Sequence, residues 1–181
     1  MLLALALSIS LASALSGCSS SAAFTPTGAA RGMLKTQAPA YYRLQLGDFE
    51  VTALSDGTVA LPLDQMMSNI SPDDVRKLLK QGFETLPVET SMNAFLINTG
   101  SKLLLIDAGA GTLFGENGGR LVSNLKAAGY EPSEIDAVLL THLHGDHSGG
   151  LVVKGKRVFP NATVYLDKAD RDYRFSAEAE A

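Results

Sequence analysis

All three histidines of this 181-residue chain, His142, His144 and His147, fall in one run, Thr141-His-Leu-His-Gly-Asp-His-Ser-Gly-Gly150. Neutral imidazoles at 142 and 144 suit a borderline-soft cation such as zinc. A spacing of two at a strand end puts both side chains on one side, where they can share one metal. Gly145 allows the backbone to turn sharply, so Asp146 and His147 are expected to face a second metal. Hydrolytic sites of this kind hold two metals ~3.5–4 Å apart with a shared water or hydroxide between them. Coordination lowers the pKa of that water toward about 7, which provides a nucleophile at neutral pH without a Ser or Cys. One metal then polarises a carbonyl or phosphoryl oxygen while the other presents the hydroxide. A solvated polar loop can also carry His and Asp, but H-x-H-x-D-H between an apolar strand and Ser-Gly-Gly is far more specific than that. Two zinc ions are the expected cofactors; manganese, iron or cobalt would suit the same ligands. Asp146 is expected both as a ligand and as the candidate catalytic carboxylate.

The elements that must present these residues are legible in the alternation of apolar and polar positions. Tyr42, Leu44 and Leu46, then Phe49, Val51 and Ala53, alternate as two strands joined at Gly47-Asp48. Asp56-Gly57 reads as a second turn, with a short strand from Thr58 to Leu63. Ser71-Pro72-Asp73-Asp74 is a helix start: a capping hydroxyl, a proline suited to the first position and two acids at the positive end of the dipole. Gly82 ends that helix. Met92–Asn98 and Lys102–Ile106 form a hairpin through Thr99-Gly100-Ser101. A glycine-rich loop follows, then a helix on Leu121, Val122 and Leu125 closed by Gly129. Ile135–Leu140 is the short strand that delivers the histidine run. Thr163–Leu166 is a further strand, and Asp167 starts a helix. Hairpins first and helix–strand alternation afterwards predict a mixed α/β architecture.

Asp107 closes the apolar strand Lys102–Ile106 and precedes Ala-Gly-Ala-Gly. A carboxylate buried there needs a partner, and a hydrogen bond to a metal-ligating histidine would provide one while fixing its tautomer. The glycines at 109 and 111 lack the Gly-Lys-Ser/Thr ending of a phosphate loop, so close backbone packing is the expectation.

The N-terminal stretch is of another kind. Met1–Leu15 is apolar and uncharged, ends in Leu15-Ser16-Gly17-Cys18, and Arg31 is the first charged residue. This is the pattern of an export segment, too short for a spanning helix. Cys18 is the single cysteine, which excludes an internal disulfide and a thiolate zinc cluster. Residues 1–18 are thus expected as a signal peptide, 19–40, rich in Ser, Ala, Thr, Gly and Pro, as a flexible tether, and 41–181 as the folded body. The net charge of -4, scattered basic residues and absence of Trp argue against nucleic acid as a partner and leave a small-molecule substrate.

Thr141-His-Leu-His-Gly-Asp-His-Ser-Gly-Gly150 resembles the signature of the metallo-β-lactamase superfamily. More narrowly, Leu46-Gly47-Asp48-Phe49-Glu50-Val51-Thr52-Ala53-Leu54-Ser55-Asp56-Gly57-Thr58, Glu89-Thr90-Ser91, Asn98-Thr99-Gly100-Ser101-Lys102 and Asn124-Leu125-Lys126-Ala127-Ala128-Gly129-Tyr130 resemble methyl parathion hydrolase-like members. The resemblance implies an αββα sandwich with the metal site at the edge between two sheets. It also implies that His142 and His144 bind one metal and that Asp146 and His147 bind the other, with Asp107 at the Ile-Asp-Ala-Gly position. The implied activity is metal-dependent hydrolysis of an ester-like or phosphotriester substrate; a lactone or thioester hydrolase, or an inactive metal-binding fragment, are the alternatives. The family pattern needs a third histidine, a bridging carboxylate and a late histidine, all after His147. Asp167, Asp170 and Asp172 come too early for the bridging role, so residues 41–181 are expected to be the N-terminal half of the sandwich. Leu15-Ser16-Gly17-Cys18 resembles a bacterial lipobox, which implies lipidation at Cys18, a membrane contact through that anchor alone, and a periplasmic location.

Overall fold

The computed structural model describes residues 32–34, 36–177 and 179. Cys18, the whole of the signal-type segment and most of the tether lie outside the described residues. The chain divides into two units, Met1–Thr36 and Gln37–Ala181, and every described helix and strand belongs to the second. Ala40, assigned to the tether by composition, is tied into that unit: its amide donates to Oδ1 of Asn124, and its carbonyl accepts from Ser55 N, both at 3.0 Å.

Strands β1 (Tyr41–Leu46) and β2 (Phe49–Leu61) pair antiparallel across the expected Gly47-Asp48 turn. The expected second turn at Asp56-Gly57 is not one. β2 runs 13 residues straight through it, because β3 (Val88–Asn98) supplies partners on both sides, from Asn98 opposite Glu50 to Val88 opposite Leu61. The register shifts between Ser55 and Gly57, so the dipeptide forms a bulge, and Gly57 carries it at a φ of 139°. β4 (Leu103–Ile106) closes the expected hairpin, and β5 (Ala137–Leu139) adds parallel to β4. After a small ribbon of β6 (Val152–Val153) and β7 (Lys156–Arg157), β8 (Thr163–Tyr165) adds parallel to β5. The result is one mixed six-stranded sheet of order β1-β2-β3-β4-β5-β8.

The helices are α1 (Leu63–Met66), α2 (Pro72–Gln81), α3 (Leu121–Ala127), α4 (Gly145–Ser148) and α5 (Lys168–Arg174). α2 starts as its sequence demands: the Ser71 hydroxyl accepts the Asp74 N–H, and Gly82 caps the far end. Asp167 caps α5 by accepting the Ala169 amide at 2.7 Å.

The two faces of the sheet differ. Leu96, Leu105 and Val138 lie side by side across β3, β4 and β5, and α3 packs Leu121 and Leu125 into the same core. Fully burying each such side chain contributes roughly 1.5–3 kcal/mol. On the opposite face Tyr42, Ala53, Phe95, Ile106, Leu139 and Tyr165 form a row across all six strands. Phe95 there is 45% exposed and Tyr165 57%. One sheet with one covered face is what the sequence predicts for half of a sandwich.

Candidate metal centre

Two neighbouring strand ends build the site. β4 ends at Ile106, and Asp107 follows at a φ of 64°, a left-handed conformation that Asp tolerates better than most residues. Its amide still bonds across to the carbonyl of Leu139 at 2.9 Å, so the carboxylate is aimed past the end of β5. It is 6% exposed. There Oδ1 accepts the Thr141 amide at 2.8 Å, and Oδ2 accepts the Thr141 hydroxyl at 2.9 Å. Oδ2 also lies 2.8 Å from Nδ1 of His147. The sequence pointed to Asp107 as a partner for a histidine, and His147 is the histidine it meets.

Residues 141–144 form a loop that leads into α4, with His144 at the helix N-cap. The three imidazoles converge, with ring centroids 4.7 Å apart for His142 and His144 and 4.0 Å for His142 and His147. Asp146 joins them, its Oδ2 3.1 Å from Nε2 of His147. All four predicted side chains therefore sit together at the surface, His144 exposed and the others half-buried. Gly145 makes no sharp turn. It opens α4, with the tip of the exposed Leu113 side chain lying over it.

The two-metal arrangement expected from the sequence is not preassembled: among the described residues no group of three or more His, Cys, Asp or Glu is arranged to hold an ion. Nε2 of His142 faces Nδ1 of His144 at 3.0 Å, so these two ring nitrogens are paired with each other. The donor chemistry nevertheless fits a divalent cation. With Nδ1–H of His147 directed at Asp107, Nε2 turns a lone pair toward the Asp146 carboxylate. Two acceptors facing each other at hydrogen-bond distance call for a cation between them or a second ring proton. Nδ1 of His142 lies 3.0 Å from the Thr141 hydroxyl, which is itself held by Asp107. With the hydroxyl proton given to Asp107, Nδ1 of His142 carries the ring proton, and Nε2 presents a lone pair toward His144.

Two further residues escaped the sequence. Asp56 is fully buried, and its carboxylate accepts the amides of Ala110, Gly119 and Leu121 at 2.8, 3.2 and 2.8 Å. It gathers the β2 bulge, the glycine-rich loop and the start of α3 into one knot. Gly109 is the price of that approach, since a Cβ there would stand 2.7 Å from Asp56 Cγ. No local pattern announces such contacts, whose partners lie 54 to 65 positions away. The second is Asp170 on α5, whose Oδ2 accepts the Leu143 amide at 2.6 Å.

Residues 88–171 match the family model of the metallo-beta-lactamase superfamily. With this sheet and this histidine cluster, the chain is a member of that superfamily. Among solved structures it is similar to the hydrolase AbOPH of the beta lactamase superfamily, at 42% identity and a TM-score of 0.72 over 78% of this chain and 49% of that one. It is also similar to AidC, a dizinc quorum-quenching lactonase, at 31% identity and a TM-score of 0.67 over 76% of this chain and 48% of that one. Among curated proteins, the N-acyl homoserine lactonase AttM of Rhizobium johnstonii is 39% identical over 57 residues, 32% of this chain and 20% of that protein. The chain spans about half the length of the solved structures it matches.

Proposed function

We propose that this chain carries the metal-binding part of a zinc-dependent hydrolase that cleaves an ester-like or phosphotriester bond. The observation that carries this is the convergence of His142, His144, Asp146 and His147 at the strand ends, with Nδ1 of His147 oriented by buried Asp107. His142 and His144 would hold one ion, and Asp146 and His147 a second. Bound zinc supplies Lewis acidity and a water acidic enough to react near neutral pH. The protein's own part is orientation. Asp107 and Thr141 fix His147 and His142, and the half-buried position of Asp146 leaves its carboxylate close to any substrate that reaches the histidines. The narrower likeness to methyl parathion hydrolase-like members favours phosphotriesters.

A lactone substrate is the second reading, favoured by the likeness to AidC and AttM, both lactonases. The full chain, loaded with zinc, should be offered a phosphotriester, a homoserine lactone and a thioester. Turnover of the phosphotriester that is lost in His144→Ala supports the first reading, and turnover of the lactone alone supports the second. A chain that takes up zinc and hydrolyses none of the three is a metal-binding part without activity of its own, and a chain that takes up no zinc overturns the proposal. The proposal includes an exported, periplasmic protein held at the membrane by a lipid on Cys18. The uncharged apolar run before Leu15-Ser16-Gly17-Cys18 supports it.

A further inference from the structure

The loop that carries His142 and His144 has its amides held by two carboxylates from different parts of the fold. Thr141 N donates to Asp107 at 2.8 Å and Leu143 N donates to Asp170 at 2.6 Å. His142 lies between the two points. The first carboxylate follows β4; the second belongs to the first turn of α5, 27 positions after the amide it binds. α5 lies against the loop along a cavity of about 160 Å³ lined by His142, Leu143, His144, Asp170, Tyr173 and Arg174. In a segment that is neither helix nor strand, backbone amides have no ladder to satisfy them, and a side-chain acceptor decides which conformation persists. A hydrogen bond to a charged acceptor is the stronger kind.

We propose that Asp170 is a positioning residue of the metal centre, and that by holding the Leu143 amide it fixes the backbone on which the His142 and His144 rings converge. This rests on the reading that those histidines take a divalent cation. Asp170 itself is not assigned as a ligand, since its nearer oxygen is already committed to Leu143 N. Its effect on the imidazoles passes through the peptide between them.

The test uses the full chain and three variants, Asp170→Ala, Asp170→Asn and Asp172→Ala, with two readouts: hydrogen exchange at the Leu143 amide without metal, and Zn²⁺ affinity by titration. Asp170→Ala should speed Leu143 exchange by about tenfold or more as the loop opens locally. It should weaken Zn²⁺ binding by about tenfold, the lower end of what residues that orient ligands contribute. Asp170→Asn keeps an acceptor oxygen and should stay within about threefold of the parent in both. Asp172 turns its carboxylate to Lys168 and Arg171 on the same helix, so its replacement should change neither. Unchanged Leu143 exchange in Asp170→Ala overturns the proposal, and so does an asparagine variant no better than the alanine one. If Asp170→Ala fails to fold, Asp170→Asn decides: near-parental exchange supports the clamp and tenfold faster exchange refutes it. If the parent takes up no Zn²⁺, the metal-centre reading fails, while Leu143 exchange still decides what Asp170 does.

Discussion

Asp56 and Asp107 are the same residue type in similar settings, yet they serve different ends. Each is reached from an apolar strand, and they are 0% and 6% exposed. Asp56 gives its acceptors to three backbone amides, at Ala110, Gly119 and Leu121. Asp107 takes one amide and one hydroxyl, both from Thr141, and then an imidazole nitrogen of His147. A carboxylate that ends on N–H groups of the main chain organises the chain, and reaches a ligand only where the segment it holds carries one, as the segment held by Asp170 does. A carboxylate that ends on an imidazole transmits its orientation, because the ring has a second nitrogen to offer a ligand. Burial alone does not separate Asp56 from Asp107; what their partners carry does.

That contrast can be broken at either member. Asp56→Ala should have the largest effect on the fold. Stranding buried amides costs about 1–3 kcal/mol each, so roughly 3 kcal/mol or more should vanish from the urea-unfolding free energy. A loss below about 0.5 kcal/mol, the size of an ordinary surface change, would show that the loop closes without it. Asp107→Ala should divide differently: about 10–100-fold weaker Zn²⁺ binding with a stability loss smaller than that of Asp56→Ala. Equal stability losses, with Zn²⁺ affinity unchanged in the Asp107 variant, would erase the distinction.

A third carboxylate, Asp136, marks the exposed limit. The Lys102 ammonium first, and the Leu103 amide second, hold it below the usual carboxylate range. A lowered folded-state pKa means the contribution is present above the ordinary carboxylate pKa and is lost as pH falls through the folded value. Asp136→Asn should therefore lower stability slightly across the neutral region and leave the acid end unmoved, which flattens the acid limb between them. This is the smallest effect expected of the three, because the pair is solvent-exposed. An acid limb identical to the parent's would remove Asp136 from the account.

How much of this was legible in the sequence depended on how local the cause was. The α2 start needs only Ser71, Pro72 and Asp74, and the β3–β4 hairpin only Thr99-Gly100-Ser101, so both were readable. The histidine run was readable for the same reason, with four candidate side chains within six positions. Asp56-Gly57 was misread because the dipeptide serves a turn and a bulge equally well. What decided between them was β3, more than 30 positions onward. The contact of Asp170 with Leu143 depends on where α5 docks, which no periodicity reports. The partner of Asp107 was foreseen in kind, a histidine, but which one required the tertiary structure.

Zn²⁺ titration of the full chain beside His144→Ala and His147→Ala tests most directly whether His142 and His144 hold one divalent ion and Asp146 and His147 a second, as proposed. The account predicts saturable binding in the parent and at least about tenfold weaker binding in each variant, as expected when a ligand is lost. No saturable uptake by the parent, or affinity unchanged in both variants, would contradict it.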